Sequence, residues 1–226
     1  MSDLSDLAVV IPTLNAASHL AATLTALPRV GEVIVVDGGS TDDTAQIAAR
    51  QGVRLLTSAP GRGRQLAAGA AAATSPWLLV LHADTQLDAE AWAAARRHLA
   101  DPQRHGRAGA FHLRLNDEAW QARVLEFGVR LRVAMLALPY GDQGLLISRR
   151  LYDAVGGFAP LPLMEDVDLV RRLGRGRLTS LAGTATTSAE RWRRRGWLRQ
   201  TLTNLRCLGL YLAGVAPERI ARIYGR

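Results

Sequence analysis

The sequence predicts an α/β fold: an α/β/α sandwich with a mostly parallel central sheet and a helical carboxyl-terminal extension. Three observations carry the prediction. Short runs of aliphatic and β-branched residues alternate with helical patterns through the first half of the chain, which is the rhythm of βαβ units. Polar and acidic residues collect where those runs stop. Beyond about residue 105 the rhythm loosens, and the last stretch reads as helix beside a cluster of arginines.

The elements follow in order. LAVVIPT, residues 7–13, reads as a buried strand, and Asn15 suits the cap of a helix over about 17–27. EVIVV, residues 32–36, is a second strand ending at Asp37. GGSTDDT then turns and opens a helix, with Ser40 and Asp43 at capping-box-like spacing. VRLLT, residues 53–57, is a third short strand, and GRGRQLAAGAAAAT is a loop leading into an alanine-rich helix. Residues 77–82 are the fourth strand, running into His82, Ala83 and Asp84. Strand alternation points His82 and Asp84 the same way. AGAFHLRL is a further strand, and residues 117–137 carry a long helical pattern with apolar positions at Trp120, Val124, Phe127 and Leu131. GLLISRR reads as a strand, EDVDLVRRL as a short amphipathic helix, and the last residues as helix with an apolar patch, LGLYLAGV.

Composition removes several chemistries. The 226 residues include one cysteine, Cys207, so neither an intrachain disulfide nor a multi-thiolate zinc site is available. All 28 basic residues are arginine; a P-loop needs its lysine and a Schiff-base enzyme needs an amine. The net charge is +8, part of it in Arg191, Arg193, Arg194, Arg195 and Arg199. Such a cluster suits phosphate or anionic lipid. It is too short for a nucleic-acid surface, so no nucleic-acid partner is expected. The opening MSDLSDL lacks the basic-then-apolar order of a signal peptide. No uncharged apolar run reaches the roughly 18 residues of a membrane span, and a cytoplasmic protein is expected.

Three strands end in functional side chains: Pro12, Thr13 and Asn15; Asp37, Gly38 and Gly39; His82, Ala83 and Asp84. Open parallel sheets bind ligands beyond the carboxyl ends of their strands. PTLNAAS has no glycine, which excludes the dinucleotide fingerprint after the first strand, and GRGRQL follows the third strand and lacks the third glycine.

VVIPTLNAASHL, EVIVVDGGSTDDT and LHADT, in this order and spacing, resemble an inverting family 2 glycosyltransferase of the Rossmann-like GT-A fold. GGFAPLPLMEDVDLVRRL is similar to that family's Gly-Gly-Phe segment with its following acidic pair. SAERW sits where processive members carry Gln-x-x-Arg-Trp, with Ser188 in the glutamine's place. The combination with GRGRQL and YGDQG looks closest to a bacterial subgroup named for arsenosugar biosynthesis or for radical-SAM and selenium-domain genes.

The resemblance implies one domain over 1–226, with a nucleotide-binding half to about 105 and an acceptor-side half from about 106. It implies a nucleotide diphosphate sugar donor, most simply UDP-linked, a small or lipid-like hydroxyl acceptor, and a divalent metal, Mn²⁺ or Mg²⁺. Asp84 matches the family's metal-binding position, and His82 replaces its first aspartate; an imidazole ligand leans the site toward Mn²⁺. Asp166 matches the residue assigned as base, beside Glu165. Pro12, Thr13, Asn15, Asp37, Gly38, Arg62, Arg64, His82, Ala83 and Asp84 would meet the nucleotide. Asp142, Gln143, Arg191 and Trp192 would border the acceptor or the diphosphate. The Arg/Trp region at the carboxyl end also allows peripheral contact at the inner membrane face. A competing expectation is a non-catalytic module that binds nucleotide sugar or a membrane surface.

Overall fold

The computed structural model describes residues 4–225, so the first three residues of the acidic opening stretch lie outside the described residues. Its centre is an eight-stranded sheet. The strands are β1 (Leu7–Thr13), β2 (Glu32–Asp37), β3 (Arg54–Thr57), β4 (Trp77–Val80), β5 (Thr85–Leu87), β6 (Ala108–Leu115), β7 (Leu145–Ser148) and β8 (Leu178–Thr187). The helices are α1 (Ala17–Thr25), α2 (Thr44–Arg50), α3 (Arg62–Ala72), α4 (Ala89–Ala100), α5 (Trp120–Leu136), α6 (Arg149–Ala154), α7 (Glu165–Leu173), α8 (Glu190–Arg195), α9 (Trp197–Leu212) and α10 (Pro217–Tyr224).

The apolar runs are continuous because both faces of the sheet are covered. Leu7, Val9 and Ile11 of β1 enter one core with Leu20 and Leu24 of α1 and Trp92 and Ala95 of α4. Ala8 and Val10 enter the other with Leu66 and Ala70 of α3, Leu151 of α6 and Leu169 of α7. The small residues of α3 let it lie close to the sheet: a Cβ at Gly69 would stand 2.4 Å from a Val10 methyl.

The strand order is β3-β2-β1-β4-β7-β6-β8-β5. The four strands of the first half are parallel, with Thr13 paired to Asp37 at their carboxyl ends. The sheet is mostly parallel as expected, with β6 and β8 running the same way as β1 to β4 and only β7 and β5 reversed. β7 lies antiparallel between β4 and β6, and β5 pairs antiparallel with β8, so the sheet is mixed.

Two expected caps are corrected. Asn15 has a left-handed backbone (φ 52°) and its side chain accepts from Thr41, leaving α1 to be capped from another loop, where Asp42 accepts from the Ala17 amide at 3.0 Å. The Ser40–Asp43 box does not form either: the Ser40 amide and hydroxyl both donate to Asp37, and Asp42 accepts from the Thr44 amide at 3.1 Å.

The long helix occupies its expected span, with its apolar stripe facing outward. α5 buries Ala122, Glu126 and Val129, and Glu126 accepts from the Leu115 amide of β6 at 2.8 Å while pairing with Arg123 at 2.7 Å. Trp120, Val124, Phe127 and Leu131 lie on the exposed side.

Candidate active site

A cleft of about 1010 Å³ opens along the carboxyl ends of β1 and β4, walled by the start of α3, the start of α7, the end of β8 and the carboxyl-terminal helices. Its floor on the β1 side is built by Gln65, a buried residue of α3 whose Nε2 donates to the Thr13 carbonyl at 2.6 Å and the Val36 carbonyl at 2.8 Å. Pro12, Thr13 and Asn15 line the cleft as expected. Asp37 and Gly38 do not. Asp37 is 5% exposed, and its carboxylate accepts from Thr13 Oγ1, the Gly39 and Ser40 amides and Ser40 Oγ at 2.5–3.1 Å. Gly38 lies beneath the Gln65 amide. Both therefore shape the loop that carries Thr13 and Asn15.

The expected loop residues Arg62 and Arg64 stand instead in the first turn of α3. Arg64 is solvent-exposed and outside the cleft. Arg62 reaches across to the first residues of α7, with Nε 2.5 Å from Glu165 and a terminal nitrogen 3.4 Å from Asp166. Burial works against its charge, but Glu165, Asp166 and Asp142 outweigh it and hold the guanidinium firmly protonated. Glu165 is 1% exposed. The residue before it, Met164, has φ 67°, a costly left-handed geometry for a non-glycine residue. That turn delivers Glu165 and Asp166 to Arg62.

The YGDQG segment closes over this pair. The Gly141 amide donates to Asp166 Oδ2 at 2.8 Å, and the Val167 amide donates to Oδ1 at 2.8 Å. A Cβ at Gly141 would lie 2.7 Å from Arg62, 2.7 Å from His82 Nε2 and 3.5 Å from Asp166 Oδ2, so three cleft side chains converge on that bare Cα. Asp142 lines the cleft; its Oδ1 is buried and accepts no hydrogen bond among the described residues. Burial pushes its carboxyl up, with Asp166 and Asp84 adding to the rise and Arg132 and Arg62 opposing it. Tyr140, under the Arg132 guanidinium at 3.4 Å, is pushed up to about 12, again chiefly by burial. Gln143 is turned inward and does not line the cleft: its Nε2 donates to the Phe111 carbonyl at 2.9 Å, and its Oε1 accepts from the Tyr140 amide at 3.3 Å.

Strand β4 ends at Val80, earlier than expected, and Ala83 and Asp84 form a turn before β5. The alternation that aligned His82 with Asp84 therefore does not operate, yet both still line the cleft. Asp84 Oδ1 accepts from Thr187 Oγ1 at 3.1 Å and Thr85 Oγ1 at 3.5 Å, and no cation pairs with it among the described residues. A carboxylate on a cleft wall held only by hydroxyls suits a hard divalent ion. No set of three or more His, Cys, Asp or Glu side chains is arranged to hold a metal among the described residues, so the protein alone supplies only part of a coordination shell. His82 shares its edge with the Arg62 guanidinium at Gly141, and that neighbouring charge disfavours a second cation there.

Arg191 and Trp192 of α8 reach the same cleft. Arg191 donates to the Tyr224 hydroxyl at 2.9 Å, and Trp192 Nε1 is buried without a hydrogen-bond partner among the described residues. Sequence reasoning missed Gln65 and Thr187. Gln65 carried a weak signal, as the only polar amide in an alanine-rich helix; Thr187 carried none, because β8 was not recognised.

A family model described as glycosyl transferase family 2 matches residues 8–161. An uncharacterized glycosyltransferase of Mycobacterium tuberculosis is 45% identical over 82 residues, spanning 36% of this chain and 38% of that protein. A TPR repeat-containing protein of Synechococcus elongatus is 42% identical over 81 residues, 33% of this chain and 19% of that one. Among solved structures, glucosyl-3-phosphoglycerate synthase of Mycobacterium tuberculosis, in complex with Mn²⁺, UDP and glucosyl-3-phosphoglycerate, superposes with a TM-score of 0.58. The two are 22% identical, over 80% of this chain and 71% of that one. TarS of S. aureus, residues 1–349, superposes with a TM-score of 0.60 at 18% identity, over 81% of this chain and 60% of that one. These likenesses in structure establish the fold.

Proposed function

The chain belongs to glycosyl transferase family 2, and on that premise we propose that it moves a sugar from a nucleotide diphosphate donor, UDP-linked, to a hydroxyl acceptor with inversion at the anomeric carbon. One observation carries the reading: the cleft at the carboxyl ends of the parallel strands brings Asp84 together with the Arg62–Glu165–Asp166 cluster. UDP in the synthase structure and UDP-GlcNAc in a TarS complex support the choice of donor.

Thr13, Asn15 and Gln65 hold the nucleoside side of the cleft. Asp84 is the residue that would hold a divalent ion against the diphosphate, and such an ion would supply charge neutralisation for the leaving group. Arg191 adds a positive charge to the cleft lining. Asp166 takes the proton of the acceptor hydroxyl as its oxygen bonds to the anomeric carbon and the nucleoside diphosphate departs with the bonding pair. Arg62 and the Gly141 amide fix the orientation of that carboxylate. Glu165 serves by holding Arg62.

A second reading places the proton on Asp142, because its Oδ1 accepts no hydrogen bond from the described residues and burial raises its carboxyl. The two readings separate on donor turnover in the presence of Mn²⁺. Asp166→Asn is expected to retain UDP binding, seen as an unchanged thermal shift, and to lose turnover by about 10²–10⁴-fold. Normal turnover in Asp166→Asn with loss in Asp142→Asn transfers the role to Asp142. Normal turnover in both removes carboxylate base catalysis from the mechanism.

A further inference from the structure

We propose that the outward faces of α5 and α9 together form a docking surface for an anionic lipid membrane. On α5, Trp120, Val124, Phe127, Leu131 and Met135 recur at helical spacing on the side opposite Ala122, Glu126 and Val129, the residues that the helix buries. Trp120 is 70% exposed and Phe127 64%. On α9, Leu198, Leu202, Leu205 and Leu212 repeat the arrangement opposite Gln200 and Cys207. Leu198 is 73% exposed.

Both helices border the same two small apolar clusters. Leu125 of α5 shares a core cluster with Trp197 at the start of α9, and Leu138, just past α5, shares another with Leu208. Two neighbouring helices thus hold their apolar stripes away from the core. Nine large apolar side chains left in water exceed what a soluble surface carries by chance.

Charge selects the occupant. The one acidic residue of α5, Glu126, is buried against Arg123, and α9 has none. The exposed charges on both helices are arginines: Arg130, Arg199 and Arg206, which flank the stripes. Apolar stripes whose exposed charges within the two helices are all arginine, with a tryptophan at one end, match helices lying in the headgroup boundary of an anionic bilayer, although Glu118 stands exposed just before Trp120. No helix of the described residues is long and apolar enough to cross a membrane, so the association is peripheral. α9 lines the cleft with Asn204 and Cys207 on its other side, which sets the cleft mouth beside the lipid surface. The proposal does not depend on the sugar-transfer reading.

The test is co-sedimentation of the whole protein with phosphatidylcholine vesicles that contain or lack phosphatidylglycerol, at low and high salt. Binding to the phosphatidylglycerol vesicles is expected, weakened by salt and weak or absent on phosphatidylcholine alone. Phe127→Asp and Leu202→Asp are each expected to weaken binding by about tenfold or more, since each removes a large apolar side chain from the buried face. Their circular-dichroism spectra and cooperative thermal unfolding should match the parent's, which shows that the fold persists. No binding to anionic vesicles at low salt overturns the proposal. So does equal binding to both vesicle types, or a dimer in light scattering that both substitutions dissolve while vesicles stay unbound.

Discussion

Replacing Gly141 by alanine tests the convergence at the cleft directly. The added Cβ would stand 2.7 Å from both Arg62 and His82 Nε2, so each must retreat by about 0.7 Å to reach ordinary contact. Arg62 has little freedom to do so, because Nε sits 2.5 Å from Glu165 and a second nitrogen 3.4 Å from Asp166. Overpacking of a filled site costs about 1–3 kcal/mol, and a protein of this size loses roughly 2–4 °C in Tm per kcal/mol. Differential scanning fluorimetry should therefore show Tm lower by about 2–12 °C. Turnover, read as UDP release from the donor, should fall by about 10–100-fold, because the amide that orients Asp166 moves with the backbone. In a His82→Ala background the same substitution should cost less, since half of the obstruction is gone. Unchanged Tm and turnover in Gly141→Ala would refute the claim that this glycine is required by its neighbours. An equal cost with and without His82 would refute the assignment of the obstruction.

Asp84→Ala should abolish the Mn²⁺-dependent part of the UDP thermal shift; persistence of that part would place the ion elsewhere. Arg62→Met should lower stability by about 3–5 kcal/mol in urea unfolding, because it strips the buried Glu165 carboxylate of its guanidinium; a loss under 1 kcal/mol would show that Glu165 does not depend on it. Glu32 gives a pH-dependent case. Its burial alone would raise the carboxyl, but hydrogen bonds from Ser75 and Thr74 outweigh that and leave it below its ordinary value of 4.5. A depressed carboxyl contributes stability that is present above pH 4.5 and lost as pH falls through the folded value. Glu32→Gln should thus cost about 1–2 kcal/mol at pH 7, with the gap to the parent closing below pH 4.5; a gap independent of pH would contradict the assignment.

The parallel half of the fold was legible because physics leaves strands little choice there. A run such as 7–12, apolar at every position, needs cover on both faces, and helices supply it. The last two strands of the sheet order were not legible: the edge strand Thr85–Leu87 is three residues long, and its neighbour Leu178–Thr187 is built largely of threonine, alanine and glycine. The chemical residues were legible by type and by position at strand ends, but their pairings were not. Arg62 meets Asp166 across 104 positions, and nothing local to either residue announces the other. Asp37 shows the converse, since a conspicuous acid at a strand end proved to be consumed by its own turn.

Helix α5 shows what periodicity does and does not fix. The spacing of Trp120, Val124, Phe127 and Leu131 predicted a helix with one apolar stripe, and both the span and the stripe are present. A stripe specifies an angle around an axis and says nothing about what lies at that angle. Here the side facing the sheet is occupied by Ala122, Glu126 and Val129, and the Glu126 carboxylate is tied to the Leu115 amide. Rolling the stripe inward would break that bond and the Arg123 pair and drive tryptophan and phenylalanine into space shaped for alanine and valine. The outward stripe is therefore enforced by the inner face of the same helix, which leaves it open to the lipid surface proposed above.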